Sequence, residues 1–156
     1  MTAKRPGSDI NWIALHGDFF RNVRVLVTGG AGFIGSHLTE ALTTLGARVV
    51  VLDDLIGGST DNLKGMDAVD FVHGSILDQS LVEKTLAGCR FVFHQAALGS
   101  VPASIERPRS YVEVNVTGTL NILEAARLSG VERIMFAASS SAYGESPTLP
   151  KSETMP

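Results

Sequence analysis

Thr28-Gly29-Gly30-Ala31-Gly32-Phe33-Ile34-Gly35 places four glycines within seven positions. Before it stands a β-branched run, Val23-Arg24-Val25-Leu26-Val27, of the kind buried in a parallel sheet. After it Ile34, Leu38, Ala41, Leu42 and Leu45 recur at helical spacing, and Gly46 stands at a C-cap position. The stretch is therefore a strand-to-helix turn. Gly30, Gly32 and Gly35 satisfy Gly-x-Gly-x-x-Gly, while Gly29, Gly32 and Gly35 satisfy Gly-x-x-Gly-x-x-Gly. One glycine permits the tight turn, another lets backbone approach a pyrophosphate, and the last lets helix and strand pack closely. The helix N-terminus then offers unsatisfied N–H groups to phosphates.

The next strand, Val49-Val50-Val51-Leu52, ends at Asp53. An acid there can accept both hydroxyls of an adenosine ribose and repel a 2′-phosphate, so the expected ligand is NAD rather than NADP. Asp54 is a second candidate, or simply lines the turn toward Gly57 and Gly58.

Further along, Val69-Asp70-Phe71-Val72 reads as a third strand, Phe91-Val92-Phe93 as a fourth and Ile134-Met135-Phe136-Ala137 as a fifth. Asp78 is placed to cap a short helix through Leu86, with Gly88 after it. A longer helix is expected from about Ser110 to Ser129, following Pro108 and stopping before Gly130. Its apolar positions include Val112, Val116, Leu120, Leu123 and Ala126. Strands alternating with helices at βαβ spacing predict an α/β fold, a Rossmann-like doubly wound parallel sheet of about five strands, truncated relative to a full enzyme. Residues 1–22 are expected to be an irregular segment, with Pro6 to Asp9 a flexible lead-in and Trp12, Phe19 and Phe20 unplaced. Residues 23–145 form the expected cofactor domain, and 146–156 a C-terminal loop.

The 156 residues are 44% hydrophobic and 19% charged, which suits a single globular domain with a continuous core. A formal net charge of −3 gives no electrostatic footprint for nucleic acid. No apolar run approaches a membrane span, and no signal peptide is evident, so a cytoplasmic location is the expectation. Cys89 is the only cysteine; it excludes an internal disulfide and reads as a small core residue. His37, His73 and His94 are too separated to read as a metal set, so no metal is expected.

From Arg24 onward the sequence resembles the extended short-chain dehydrogenase/reductase family of nucleotide-sugar epimerases and dehydratases. Besides Thr28 to Gly35, the resemblance rests on His94-Gln95-Ala96-Ala97-Leu98-Gly99-Ser100-Val101-Pro102, Asn115-Val116-Thr117-Gly118-Thr119, and Ala137-Ala138-Ser139-Ser140-Ser141-Ala142-Tyr143-Gly144. Within the family it is most similar to the UDP-N-acetylglucosamine 4-epimerase subgroup. The resemblance implies that Phe33 and Ile34 touch the cofactor diphosphate. It also implies that Gln95, Ala96, Ala97, Leu98 and Gly99 run under the ribose, and that Asn115 is the family's helix asparagine near the cofactor. Gly74-Ser75-Ile76 stands where the family usually has Gly-Asp-Ile at the adenine, leaving Ser75 and Ile76 as candidate contacts.

Ser139 matches the serine that hydrogen-bonds the reacting sugar oxygen, with Ser140 and Ser141 beside it. Family dehydratases carry an acidic pair at those two positions, because eliminating water needs an acid and a base. Hydroxyls there imply epimerisation: oxidation at one sugar carbon, rotation of the keto-sugar and reduction on its other face. The family's base is a tyrosine with a lysine four positions later. Here Asn115 follows Tyr111 by four and Pro147 follows Tyr143 by four, so the pair is absent from the 156 residues. The expectation is the amino-terminal, NAD-binding portion of a 4-epimerase, inactive alone, with a nucleotide sugar as substrate of the complete enzyme. A homodimer or a complementing carboxy-terminal half is the expected partner. A non-enzymatic dinucleotide-binding module and half of a split enzyme remain the alternatives.

Overall fold

A computed structural model describes residues 10–145 and 149–155, apart from the side chain of Ser140. The expected lead-in at Pro6 to Asp9 lies outside the described residues. Five strands form the sheet: β1 (Arg24–Thr28), β2 (Arg48–Asp53), β3 (Asp70–His73), β4 (Phe91–His94) and β5 (Arg133–Phe136). All pairs are parallel, in the order β3-β2-β1-β4-β5. The chain winds outward from β1 to β3, then crosses back past β1 to β4. Strand order thus reverses between β1 and β4, and such a switch point opens a crevice beyond the strands' carboxyl ends. Register brings those ends level: Thr28 pairs with Leu52 and with His94, and His94 with Phe136.

Alternation along the strands builds two cores. Val25, Val27, Val49 and Val51 face α2 (Phe33–Thr44), whose Leu42 joins them. Leu26, Val50, Leu52 and Val92 face α3 (Gln79–Leu86) and α6 (Thr119–Leu128), through Val82, Leu86, Ile122, Ala125 and Ala126. Each fully buried Val, Leu or Ile contributes about 1.5–3 kcal/mol, so these clusters fix the sheet. Asp78 caps α3 as expected, accepting from the Leu81 N–H at 3.0 Å. Cys89 is buried among them, and burial pushes its thiol pKa up.

Two expectations need correction. The first 22 residues are not wholly irregular: α1 (Trp12–His16) is a short helix capped by the Asn11 side chain. Beyond it, Phe19 and Phe20 pack on Phe91, with ring centroids 5.6 and 6.0 Å away. The Arg90 guanidinium lies 5.0 Å from the Phe91 ring centre. The long helix is unbroken from Pro108 to Leu128 but not α-helical throughout. It begins as α5 (Pro108–Val112), passes through a π-helical segment Glu113–Gly118, and only then becomes α6. Thr119 hydrogen-bonds back to the Asn115 carbonyl at 2.8 Å, a side-chain bond that competes with regular helix bonding. A further short helix, α4 (Val101–Glu106), precedes it.

The faces of this run follow side-chain size. Val112, Val116, Leu120 and Leu123 are exposed, whereas Gly118, Ile122, Ala125 and Ala126 meet the core. Small residues face inward because the helix lies close: a Cβ on Gly118 would stand 2.6 Å from Ile76 Cδ1. Likewise Ile34 is exposed, and Gly35, Ser36 and Thr39 take the inner side of α2 with Ala41 and Leu42. The region after β5 contains a 3₁₀ turn at Ser140–Tyr143.

Candidate cofactor site

The crevice at the switch point is a cavity of about 300 Å³. Its walls are the glycine turn (Gly29, Gly32), the end of β2 (Leu52, Asp53, Asp54) and the turn Ile56 to Gly58. Gln95, Ala96, Ala97, Leu98 and Gly99 form its floor, with Gly74, Ile76, Ser100, Tyr111 and Val114 around them.

The structure decides between the two glycine spacings. Gly29 has φ +67°, and a Cβ there would lie 2.7 Å from the Ala96 nitrogen. A Cβ on Gly35 would run into the Gly29 carbonyl oxygen. Gly30 instead packs inward on Val51, so Gly29, Gly32 and Gly35 are the working set. Gly32 is the N-cap of α2, has no side chain to cap it, and no acid occupies the first turn. The first N–H groups of α2 are consequently left for an anion.

Asp53 is nearly buried, with 7% exposure, and holds the turn. One carboxylate oxygen accepts from the Ala31 N–H at 2.9 Å, and the other from the Leu55 N–H at 2.8 Å. Ala31 is gripped further by the Asn62 side-chain amide and the Ser59 N–H, which both donate to its carbonyl. Asp53 therefore builds the cradle besides facing it. Each carboxylate oxygen retains capacity for a second donor. Asp54 lines the cavity and accepts from the Ile56 N–H at 3.1 Å, which holds the turn toward Gly57 and Gly58.

The floor is held from beneath. Asn115 does not line the cavity; its side chain clamps Leu98, accepting from the Leu98 N–H at 2.9 Å and donating to the Leu98 carbonyl at 3.0 Å. Asn121 similarly donates to the carbonyls of Ile76 and Leu77. His94, 2% exposed, lies under the floor between Thr28 and Thr119, and burial pushes its pKa down to about 4.

Other sequence candidates fall elsewhere. Phe33 and Ile34 project outward at 80% and 66% exposure, at the start of α2 beside the cavity mouth. Ser75 is outside the lining, where its hydroxyl accepts from the Leu77 N–H. Ser139 is exposed and outside the cavity. It donates to the Ser141 hydroxyl at 3.0 Å and accepts the Ser141 N–H at 3.1 Å, capping the 3₁₀ turn. Sequence reasoning missed Leu52, Ile56, Tyr111 and Val114 as wall residues. Only position relative to the strand ends could have signalled them. Among the described residues no three His, Cys, Asp or Glu side chains gather as a metal cluster.

A free helix start, a turn that excludes Cβ atoms and an acid at the next strand end together fit a dinucleotide. The sequence model of the NAD dependent epimerase/dehydratase family matches residues 25–156. The chain belongs to the NAD-dependent epimerase/dehydratase family. Its match within that epimerase/dehydratase family includes UDP-glucose 4-epimerase of Yersinia enterocolitica, 38% identical over 136 residues, 83% of this chain and 40% of the relative. Among solved family structures, the NAD complex of Thermus thermophilus UDP-glucose 4-epimerase is 43% identical with a TM-score of 0.75. The match covers 85% of this chain and 43% of that one. UDP-N-acetylglucosamine 4-epimerase from Methanobrevibacter ruminantium M1, in complex with UDP-N-acetylmuramic acid, is 34% identical with a TM-score of 0.78. There the coverage is 86% and 44%. The chain thus spans about two fifths of these relatives and corresponds to their amino-terminal portion.

The double use of Asp53 gives a test. Asp53→Asn leaves one acceptor oxygen for two N–H groups and turns an NH₂ toward the other. Losing one charge-assisted bond costs about 1.5–3 kcal/mol, so NAD affinity and melting temperature should both fall, while discrimination against NADP narrows. Parallel calorimetric titrations and melts check this; an unchanged NAD/NADP ratio would contradict it.

Proposed function

We propose that residues 23–145 form the NAD-binding part of a nucleotide-sugar 4-epimerase acting on UDP-glucose or UDP-N-acetylglucosamine. The supporting observation is the Gly29/Gly32/Gly35 turn opening α2 opposite Asp53 at the switch point of the sheet. The N–H groups at Phe33, Ile34 and Gly35 receive the diphosphate, and Asp53 with Asp54 receives the adenosine ribose. Ile76 and Ser75 border the adenine, while Gln95, Ala96 and Ala97 carry the second ribose on the floor clamped by Asn115. When bound, NAD supplies the hydride acceptor and donor for inversion at one sugar carbon. Ser139 orients the sugar oxygen by donating its hydroxyl, with Ser140 and Ser141 beside it; hydroxyls rather than acids there favour epimerisation over dehydration.

Turnover further requires a base, and the 156 residues contain no Tyr-x-x-x-Lys pair. The exposed stripe Val112, Val116, Leu120 and Leu123 supports docking of a further helical segment, from a complementing half or a second copy. Residues 1–22 and 146–156 flank the cofactor domain. No helix among the described residues is long and apolar enough to cross a membrane. Residues 1–156 alone should show no UDP-N-acetylglucosamine to UDP-N-acetylgalactosamine conversion. Adding the separately expressed carboxy-terminal half of a related 4-epimerase should restore measurable turnover, and Ser139→Ala should remove most of it. General acid–base catalysis contributes about 10²–10⁴-fold, so the contrast is large. Robust turnover by residues 1–156 alone would overturn the assignment of roles.

A further inference from the structure

His94 ends β4, directly before the floor residues, yet it lines no part of the cavity. Its two ring nitrogens are both engaged: Nδ1 lies 2.7 Å from the Thr28 hydroxyl, and Nε2 lies 3.0 Å from the Thr119 hydroxyl. The proton positions follow from the neighbours. Thr119 donates its single hydroxyl hydrogen to the Asn115 carbonyl at 2.8 Å, so toward His94 it can only accept. Nε2 therefore carries the hydrogen, Nδ1 is bare, and the Thr28 hydroxyl donates to it. Thr28 in turn accepts from the Ala96 N–H at 3.2 Å. The result is one polarised chain with every donor pointing the same way, from Ala96 through Thr28, His94 and Thr119 to the Asn115 carbonyl. The same Asn115 grips both polar groups of the Leu98 backbone. The chain therefore ties β1, β4 and the π-helical segment to two points of one short loop, Ala96 and Leu98.

We propose that His94 is the positioning residue of the cofactor floor: as the neutral Nε2–H imidazole it relays hydrogen bonds between Thr28 and Thr119, and so sets the height of residues 95–99 against the glycine turn. The assignment rests on the cofactor reading of the cavity above. Close approach makes that height matter, since Gly29 already lies against the backbone of Gln95 and Ala96 with no room for a Cβ. A floor displaced upward closes the cavity, and one displaced downward loses the ribose. The groups packed on the ring, Thr28 of β1, Phe136 of β5 and Thr119 of α6, carry no charge that could substitute for these bonds.

The test uses the full chain and three variants. His94→Leu and Thr119→Val each cut the relay, at its centre and at its outer end. His94→Gln offers one acceptor and one donor from a single carboxamide. In the cut variants, exchange of the Ala96 and Leu98 amides should accelerate on the order of 10–100-fold, with the β1 amides Val25 to Val27 unchanged. NAD affinity should fall about tenfold. His94→Gln should recover both readouts in part. If His94→Leu does not fold, Thr119→Val alone decides. Parent-like exchange at Ala96 and Leu98 in a cut variant would overturn the proposal, as would acceleration spread equally over β1. Failure of the parent chain to bind NAD would overturn the cofactor reading instead, and the amide exchange would still decide the role of His94.

Discussion

Gly32→Ala is expected to lower NAD affinity by about tenfold or more while leaving folding stability within about 0.5 kcal/mol of the parent. Gly32 has φ −76° and ψ 177°, a conformation open to alanine, and its Cβ would meet only the Gly29 oxygen, at 3.2 Å. The methyl group would instead occupy the approach to the start of α2. Gly35→Ala is the contrasting case. Its Cβ would overlap the Gly29 carbonyl, with Gly30 Cα at 2.8 Å, and backbone cannot step aside as a flexible side chain can. Overpacking typically costs about 1–3 kcal/mol, and a clash with backbone falls at the upper end, so both the melting temperature and the binding should drop sharply. Thermal melts and NAD titrations of the two variants separate the roles. Equal destabilisation by both substitutions would mean that Gly32, too, serves only the packing of the turn.

The second large effect is on acid stability. Burial holds the His94 pKa at about 4 in the folded protein, against 6.5 for an unperturbed histidine. The unfolded chain therefore takes up a proton that the folded chain refuses. Above about pH 6.5 both states are neutral and no penalty exists. As pH falls toward 4 the folded state loses stability at about 1.4 kcal/mol per pH unit, on the order of 3 kcal/mol in all. Denaturant titrations at a series of pH values should show this slope in the parent and its absence in His94→Gln. An identical slope in both proteins would mean that other groups carry the acid sensitivity.

Much of this architecture was written in local pattern. Short apolar runs marked all five strands to within a residue or two, and Asp78, Gly46 and Gly88 punctuated the helices as their chemistry requires. Asp53 was legible as the acid that ends the second strand, and it lines the cavity. Its grip on Ala31 and Leu55 was not legible, because it depends on how the turn after β2 folds back. The inward face of the helix from Pro108 was not legible, because it carries two apolar sets: large residues at Val112, Val116, Leu120 and Leu123, and small ones that permit close packing. Periodicity reports amphipathicity and says nothing about which stripe a sheet will accept. The helix Val101–Glu106 is too short to show a period, although Ser100 before Pro102 was a usable start signal. The floor at Gln95 to Gly99 has no local signature, and family resemblance alone pointed to it. Asn115, read as a residue near the cofactor, stands outside the cavity lining and grips Leu98 instead, a contact that depends on how the helix lies against the loop.

That this cavity takes NAD through the start of α2 is tested most directly by calorimetric titration of residues 1–156 with NAD and with NADP, joined to amide exchange with and without NAD. Saturable binding at one site is expected, with weaker binding of NADP and with protection at Phe33, Ile34, Gly35 and residues 95–99. No saturable heat with NAD, or protection confined to residues away from the glycine turn, would contradict it.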